Sequence, residues 1–268
     1  MNERIEAGKL EMPILPDIAV KILNNALDQN IDIHTLSELI HRDQTLAGHV
    51  LRVSNSAAYA AATNIISLQQ ALIRLGMVQL REIVVAVAFK SRIFHVPGQE
   101  ALMKRLWRSS AGAAAYAKEI AQLRRQDVEK AFLCGLLHDV AKPVLLLALV
   151  DIQRELHQKF DLGEVLASLE DFPMRVGSII AEELAVPPQI RETMLYYSKY
   201  NEAPTFREDA MQICLADRLS QFVFSSDKPD ESTFLNHPVF EDMKLTDEET
   251  GALLAKRDEV IKFVDSFT

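Results

Sequence analysis

The chain has 268 residues, 49% hydrophobic and 25% charged, with a formal charge of −9 and a pI near 5.3. That size and apolar share support an ordinary globular core in one large domain or two small ones. The acidic balance excludes a broad nucleic-acid footprint, which needs many Lys and Arg contacts to phosphate, and leaves room only for a local basic patch. Gly and Pro are few, 9 and 10. Strand-type alternation is hard to find, so the fold class expected is all-α.

Pro13 and Pro16 hold the lead extended, because each proline biases its predecessor away from the helix. Helices are predicted over 17–29, from 32 or 33 past Ile40, and from Gln44 to Ala57, with a loop over 57–64. Asn55 is read as a hydrogen-bonder that locks the third helix to that loop. Ser67 and Gln70 fit a capping box, so a short helix starts at Ser67 and ends at Gly76, where glycine can take a positive φ. The next runs over 77–94, with 83–89 apolar on every side and buried. Val96-Pro97-Gly98 is the clearest break and reads as a hinge between two helical lobes.

A helix over 100–123 follows, with small residues at 111–117 that let another helix pack closely, and Arg124-Arg125 as a solvated end favoured by the helix dipole. Shorter helices are expected at 152–159, 162–169, 174–185 and 189–197, then a core helix at 207–224 and a turn at 225–230. Thr246 and Glu249 form a second capping box that opens a terminal helix reaching Phe267. Cys134 and Cys214 have no zinc spacing and read as reduced core thiols, which suits a reducing compartment. MNERIEAGKL lacks an apolar leader, and the longest uncharged apolar run, 144–150, is too short to cross a bilayer, so a cytoplasmic protein with no membrane partner is expected.

The stretch 131–150, AFLCGLLHDVAKPVLLLALV, is the one to weigh for chemistry. Its apolar residues leave no solvent face, so it reads as one buried helix. Gly135, His138, Asp139 and Lys142 fall on one stripe of it, and Pro143 should end or kink the helix. An ionised Asp139 in that setting costs several kcal/mol unless it is paired. Lys142 could pair with it, or the group could bind a metal or a phosphate; both readings stand on this stretch alone. Trp107 reads as a core anchor, and the cluster Tyr196, Tyr197 and Tyr200 could line a site or a partner surface.

Ala131-Phe132-Leu133-Cys134-Gly135-Leu136-Leu137-His138-Asp139-Val140-Ala141 resembles the His-Asp segment of the HD superfamily, whose active members are metal-dependent phosphohydrolases. Leu15-Pro16, Ile40-His41-Arg42-Asp43, Val50-Leu51-Arg52-Val53-Ser54-Asn55-Ser56-Ala57 and Ala71-Leu72-Ile73-Arg74-Leu75-Gly76 look more specifically like the HDOD family, the HD-related output domain. The resemblance covers residues 13–224. It implies an N-terminal helical lobe over 13–95 and an HD-like lobe over 99–224; residues 225–268 lie outside it and are expected to form a helical extension packed on the domain. It also implies bacterial signalling, usually through a non-catalytic module.

Residue by residue, the resemblance carries over the doublet His138 and Asp139 and the late Asp217. The family's other ligand positions would fall at Ser109, near Pro173 and at Tyr197, and none of these is His. Three donors could hold a single divalent metal with water but not a dinuclear pair. The expectation is therefore a degenerate site with no cofactor, in which His138, Asp139 and Asp217 are held by mutual hydrogen bonds and by Arg108 or Lys142. Trp107, Arg108, Lys142 and Tyr196 are candidates to line the former pocket. The function expected is an interaction or output module binding other signalling proteins. The alternatives are a metal-dependent phosphohydrolase acting on a nucleotide or phosphate ester, and a sensor that binds a nucleotide in the vacated pocket.

Overall fold

The computed structural model describes residues 14–24, 33–59, 64–168, 172–225 and 234–267. Among these residues every regular element is helical. α1 (Asp17–Asn24), α2 (Ile33–His41) and α3 (Gln44–Ser54) pack against α4 (Leu68–Arg92). The rest of the first predicted helix, 25–29, and the predicted turn beyond Ser225 lie outside the described residues. Asp43 caps α3 by accepting from Leu46 N at 2.9 Å. Asn55 does lock the helix end: its Nδ2 donates to Leu51 O and Ile65 O, and its Oδ1 accepts from Ile65 N at 2.7 Å.

α4 is two helical segments that meet at Gly76, as the pattern expects: the glycine takes the expected positive φ of 80° with a non-helical ψ of 171°, which ends the first segment and kinks the chain into the second. Ser67 caps Gln70 N, but the Gln70 side chain reaches Ile66 N, one residue further back than a capping box requires. The apolar run 83–89 is buried, and so are Arg81 and Glu82 beside it, at 5% and 1% exposure. Both are paired. Arg81 Nη2 meets Glu129 Oε2 at 2.5 Å, and Lys118 Nζ meets Glu82 Oε2 at 2.7 Å.

α5 (Glu100–Arg124) is the central post, with α6 (Val128–Leu137) on one side and α11 (Arg207–Phe224) on another. The small residues of its middle permit that approach: a Cβ added at Gly135 of α6 would sit 2.7 Å from Ala114 Cα. The stretch 131–150 is not one helix. α6 stops at Leu137, residues 138–140 turn, and α7 (Ala141–Leu156) begins. Pro143 is the third residue of α7, where a backbone N–H would have no intrahelical acceptor, so the proline starts this helix instead of ending it. The helix predicted at 152–159 is the remainder of α7. Taken together, Val128–Leu156 is long and apolar enough to pass for a membrane span, but 89% of its most apolar window is buried in the protein.

α8 (Leu162–Ser168), α9 (Phe172–Glu183) and α10 (Pro188–Tyr196) follow, then a 3₁₀ segment at Tyr197–Glu202 that leads into α11. Beyond α11 come α12 (Pro238–Asp242), α13 (Asp247–Ala255) and α14 (Arg257–Asp265). Thr246 and Glu249 form the complete capping box, but the terminal helix is interrupted at Lys256 and becomes two. α14 lies along α5. Phe267 meets Trp107 edge-on at 5.4 Å, Lys90 donates to the Phe267 carbonyl, and Arg108 pairs with Asp265 at 3.0 Å. Arg124 is not a solvated helix end: its Nη2 donates to Met243 O at 2.5 Å and ties the last helices down.

Candidate functional site

The turn between α6 and α7 places the doublet. Because α6 ends at Leu137, His138 and Asp139 sit at a helix junction facing the space between α7, α9, α10 and the 3₁₀ segment. A cavity of about 150 Å³ opens there, lined by His138, Asp139, Lys142, Met174, Met194 and Tyr197 among others. His138 is buried, and its Nδ1 donates to Gly135 O at 2.6 Å, which fixes the tautomer and aims Nε2 at α11. There Asp217 Oδ1 lies 3.3 Å away. Nε2 makes no directed hydrogen bond, and it attracts the Asp217 carboxylate when the imidazole is protonated.

Burial alone would push the His138 imidazole down. The Asp217 and Asp139 carboxylates overrule it and hold the imidazole above its ordinary range. Burial likewise works to raise Asp217, but His138 and Lys142 hold it below the usual carboxylate range. Asp217 is further satisfied by Ser109 Oγ at 3.3 Å and by Gln221 Nε2 at 2.7 Å. Asp139 differs: burial raises its carboxyl, even though the Lys142 ammonium sits 2.7 Å from Oδ2. Tyr197 stands over the pair, its ring edge-on to His138 at 4.7 Å and its hydroxyl 3.5 Å from Asp139 Oδ1.

The three carried-over residues therefore converge, and so do Ser109 and Tyr197. Pro173 belongs to α9, but its side chain lies outside the described residues. Of the suggested pocket-lining residues only Lys142 lines the cavity. Trp107 is buried between Phe94 and Phe267. Arg108 turns to Asp265 and the Phe224 ring. Tyr196 packs on the core without lining the cavity. Tyr200 leaves the cluster as well, donating to Asp242 at 2.6 Å. Gln221 was missed by sequence reasoning, although its position four residues after Asp217 on one helix was a readable signal.

A structural or catalytic divalent cation needs three or four converging donors. Here His138 Nε2 and Asp217 Oδ1 face one another, but the Asp139 carboxylate is held by an ammonium and the second Asp217 oxygen by an amide. Among the described residues no three His, Cys, Asp or Glu side chains form a group that could hold a metal ion. In this arrangement Lys142 and the Tyr197 hydroxyl stand at Asp139, and Gln221 and Ser109 at Asp217.

The chain resembles several known proteins. An uncharacterized protein of Treponema pallidum (strain Nichols) is 21% identical over 203 residues, 72% of this chain, and the chain thus matches only 39% of that curated relative's length. A candidate phosphohydrolase from Shewanella amazonensis superposes with a TM-score of 0.71 at 19% identity, covering 100% of this chain and 97% of its own. An HDOD domain protein of unknown function from Geobacter sulfurreducens gives 0.71 at 24% identity, with 99% and 97% covered. A candidate signal transduction protein from Marinobacter aquaeolei gives 0.69 at 19% identity, with 98% and 61% covered. At such identities the structural likeness shows the fold. The sequence carries the assignment: residues 12–200 match the model of the HDOD domain, and the chain belongs to the HDOD domain family.

Proposed function

We propose that this chain is a non-catalytic module of bacterial signal transduction, working in the cytoplasm on other signalling proteins, and that its HD site is degenerate. The carrying observation is Lys142, whose ammonium lies 2.7 Å from Asp139 where a hydrolase would need a metal ion. Ser109 and Tyr197 complete the same picture, since neither hydroxyl is a good ligand for a divalent ion at neutral pH. Activation of water for attack on phosphorus depends on a cation that lowers the water's pKa. An ammonium paired to a carboxylate does not do this.

The test is elemental analysis of the purified chain, then a phosphatase screen with p-nitrophenyl phosphate and nucleotides, with Asp139→Ala as control. The module reading expects substoichiometric metal and no turnover that the control removes. Stoichiometric metal, with turnover abolished in Asp139→Ala, would establish instead the phosphohydrolase reading, with His138, Asp139 and Asp217 as ligands. One observation favours that second reading: the buried His138 Nε2 has no directed hydrogen bond and faces Asp217.

A further inference from the structure

A second cavity, of about 290 Å³, opens where α3, α4 and the residues after α14 meet, and it shares no lining residue with the cavity at His138. His49 and Arg52 reach it from α3 at i and i+3. Lys90 comes from α4 and His95 from the segment after it, with the hydroxyls of Ser91 and Ser266 between them. Among the described residues the lining holds no Asp or Glu. In a chain of net charge −9, this is a local concentration of basic groups.

Among the described residues no carboxylate lines the cavity, and Glu100, outside the lining, acts on His95. Lys90 donates to the Phe267 carbonyl and lies over the Trp107 ring, 5.8 Å from its centroid, and both partners are uncharged. Burial, then Arg52 and Lys104, push the Lys90 ammonium down, and burial, then Arg52 and Lys90, push the His49 imidazole down. The one carboxylate that pulls the other way on His49 is Asp43, which already caps Leu46 N and meets Arg92 at 3.4 Å. Cations gathered with no carboxylate in the lining repel one another, and an anion placed among them relieves that repulsion.

The remaining wall is apolar, from Phe94 and Phe267. The volume lies near the lower end of small-molecule pockets, about 300–1,000 Å³. We propose that this cavity binds a phosphate monoester with a flat apolar body, of mononucleotide size. The phosphate would lie on Arg52, Lys90 and the two imidazoles, and the body against Phe94 and Phe267. Arg52 is suited to the phosphate because its planar fork can hold two of the oxygens at once. The inference is independent of whether the His138 site has any activity.

Calorimetric titration of the full chain with adenosine monophosphate, inorganic phosphate and adenosine tests it. Saturable binding of the monophosphate is expected, with phosphate and adenosine each about tenfold weaker or more, and weakening as salt is raised. Arg52→Ala should weaken the monophosphate by about tenfold and Arg52→Glu by more. Arg52 is exposed, so both variants should fold, which circular dichroism checks. Lys90→Met, with its role at Phe267, is the riskier companion. No binding of the monophosphate, equal binding of adenosine, or affinity unchanged in both Arg52 variants would overturn the proposal.

Discussion

Arg81, Glu82 and Glu129 are buried between α4, α5 and α6 beside a half-buried Lys118, and His138, Asp139 and Asp217 are buried at the junction of α6 and α7 with α11 beside a more exposed Lys142. In the first set each cation faces one carboxylate at hydrogen-bonding distance. Burial raises Glu82 and Glu129, and the cations beside them pull the other way. In the second set the partners are graded: one carboxylate is held low by an imidazole, its neighbour is raised by burial despite an ammonium, and one side opens on a cavity. Burial of charge by itself is thus no sign of a site. Both clusters border a cavity, the first through Lys118, so the informative difference is the unequal pairing: among the described residues only the second cluster has one carboxylate held low and its neighbour raised.

Breaking the first cluster should cost most. Arg81→Ala leaves Glu129 buried without its partner, and a loss of about 3–5 kcal/mol is expected in denaturant unfolding. The double change Arg81→Met with Glu129→Leu should recover much of that, because it removes both charges; failure to recover would show that the pair does more than neutralise itself.

Asp217→Asn tests the second cluster at about 1.5–3 kcal/mol, and its effect should depend on pH. The raised His138 pKa makes the pair's contribution complete below about pH 6.5, the ordinary imidazole value, and lost as pH rises through the higher folded value. The lowered Asp217 pKa makes it complete above about pH 3.9 and lost as pH falls through the lower folded value. Unfolding curves of wild type and Asp217→Asn should therefore differ most between about pH 4 and 6.5 and converge on the alkaline side. A difference that is flat with pH would remove the charge coupling.

Gly135→Ala addresses what both clusters share, the close approach of α5 and α6. Its Cβ would meet backbone atoms of α5 2.7–2.8 Å away, so a loss of about 1–3 kcal/mol in thermal or denaturant unfolding is expected. Thr246→Ala removes the cap of α13 and should cost about 1 kcal/mol. Any pH dependence is confined to the acid side, because the Thr246 backbone N–H and hydroxyl hold the Glu249 carboxyl below its ordinary range.

Much of this was readable along the chain. The all-helical class, the burial of 83–89, the kink at Gly76, the role of Asn55 and the capping box at Thr246 follow from local rules, since periodicity, glycine conformation and side-chain reach are all settled within a few residues. The convergence of His138, Asp139 and Asp217 followed from the family's pattern. The split of 131–150 was not readable, because a buried apolar helix and two buried helices in line have the same periodicity, and Pro143 is compatible with either a helix start or a helix break.

Beyond the Lys142–Asp139 pair, whose i, i+3 spacing is readable, the partner each charge meets was outside the linear pattern. Arg81 and Glu129 stand 48 residues apart, Ser109 and Asp217 108 apart, and Arg108 turned to the C-terminal Asp265 instead of the doublet. The sequence by itself determined the helices, their buried faces and the donors available. Only the tertiary structure decided between the partners left open, Lys142 and not Arg108 beside Asp139 and Tyr197 and not Tyr200 against His138, because electrostatic pairing depends on distance through space, and that is set by how the helices pack.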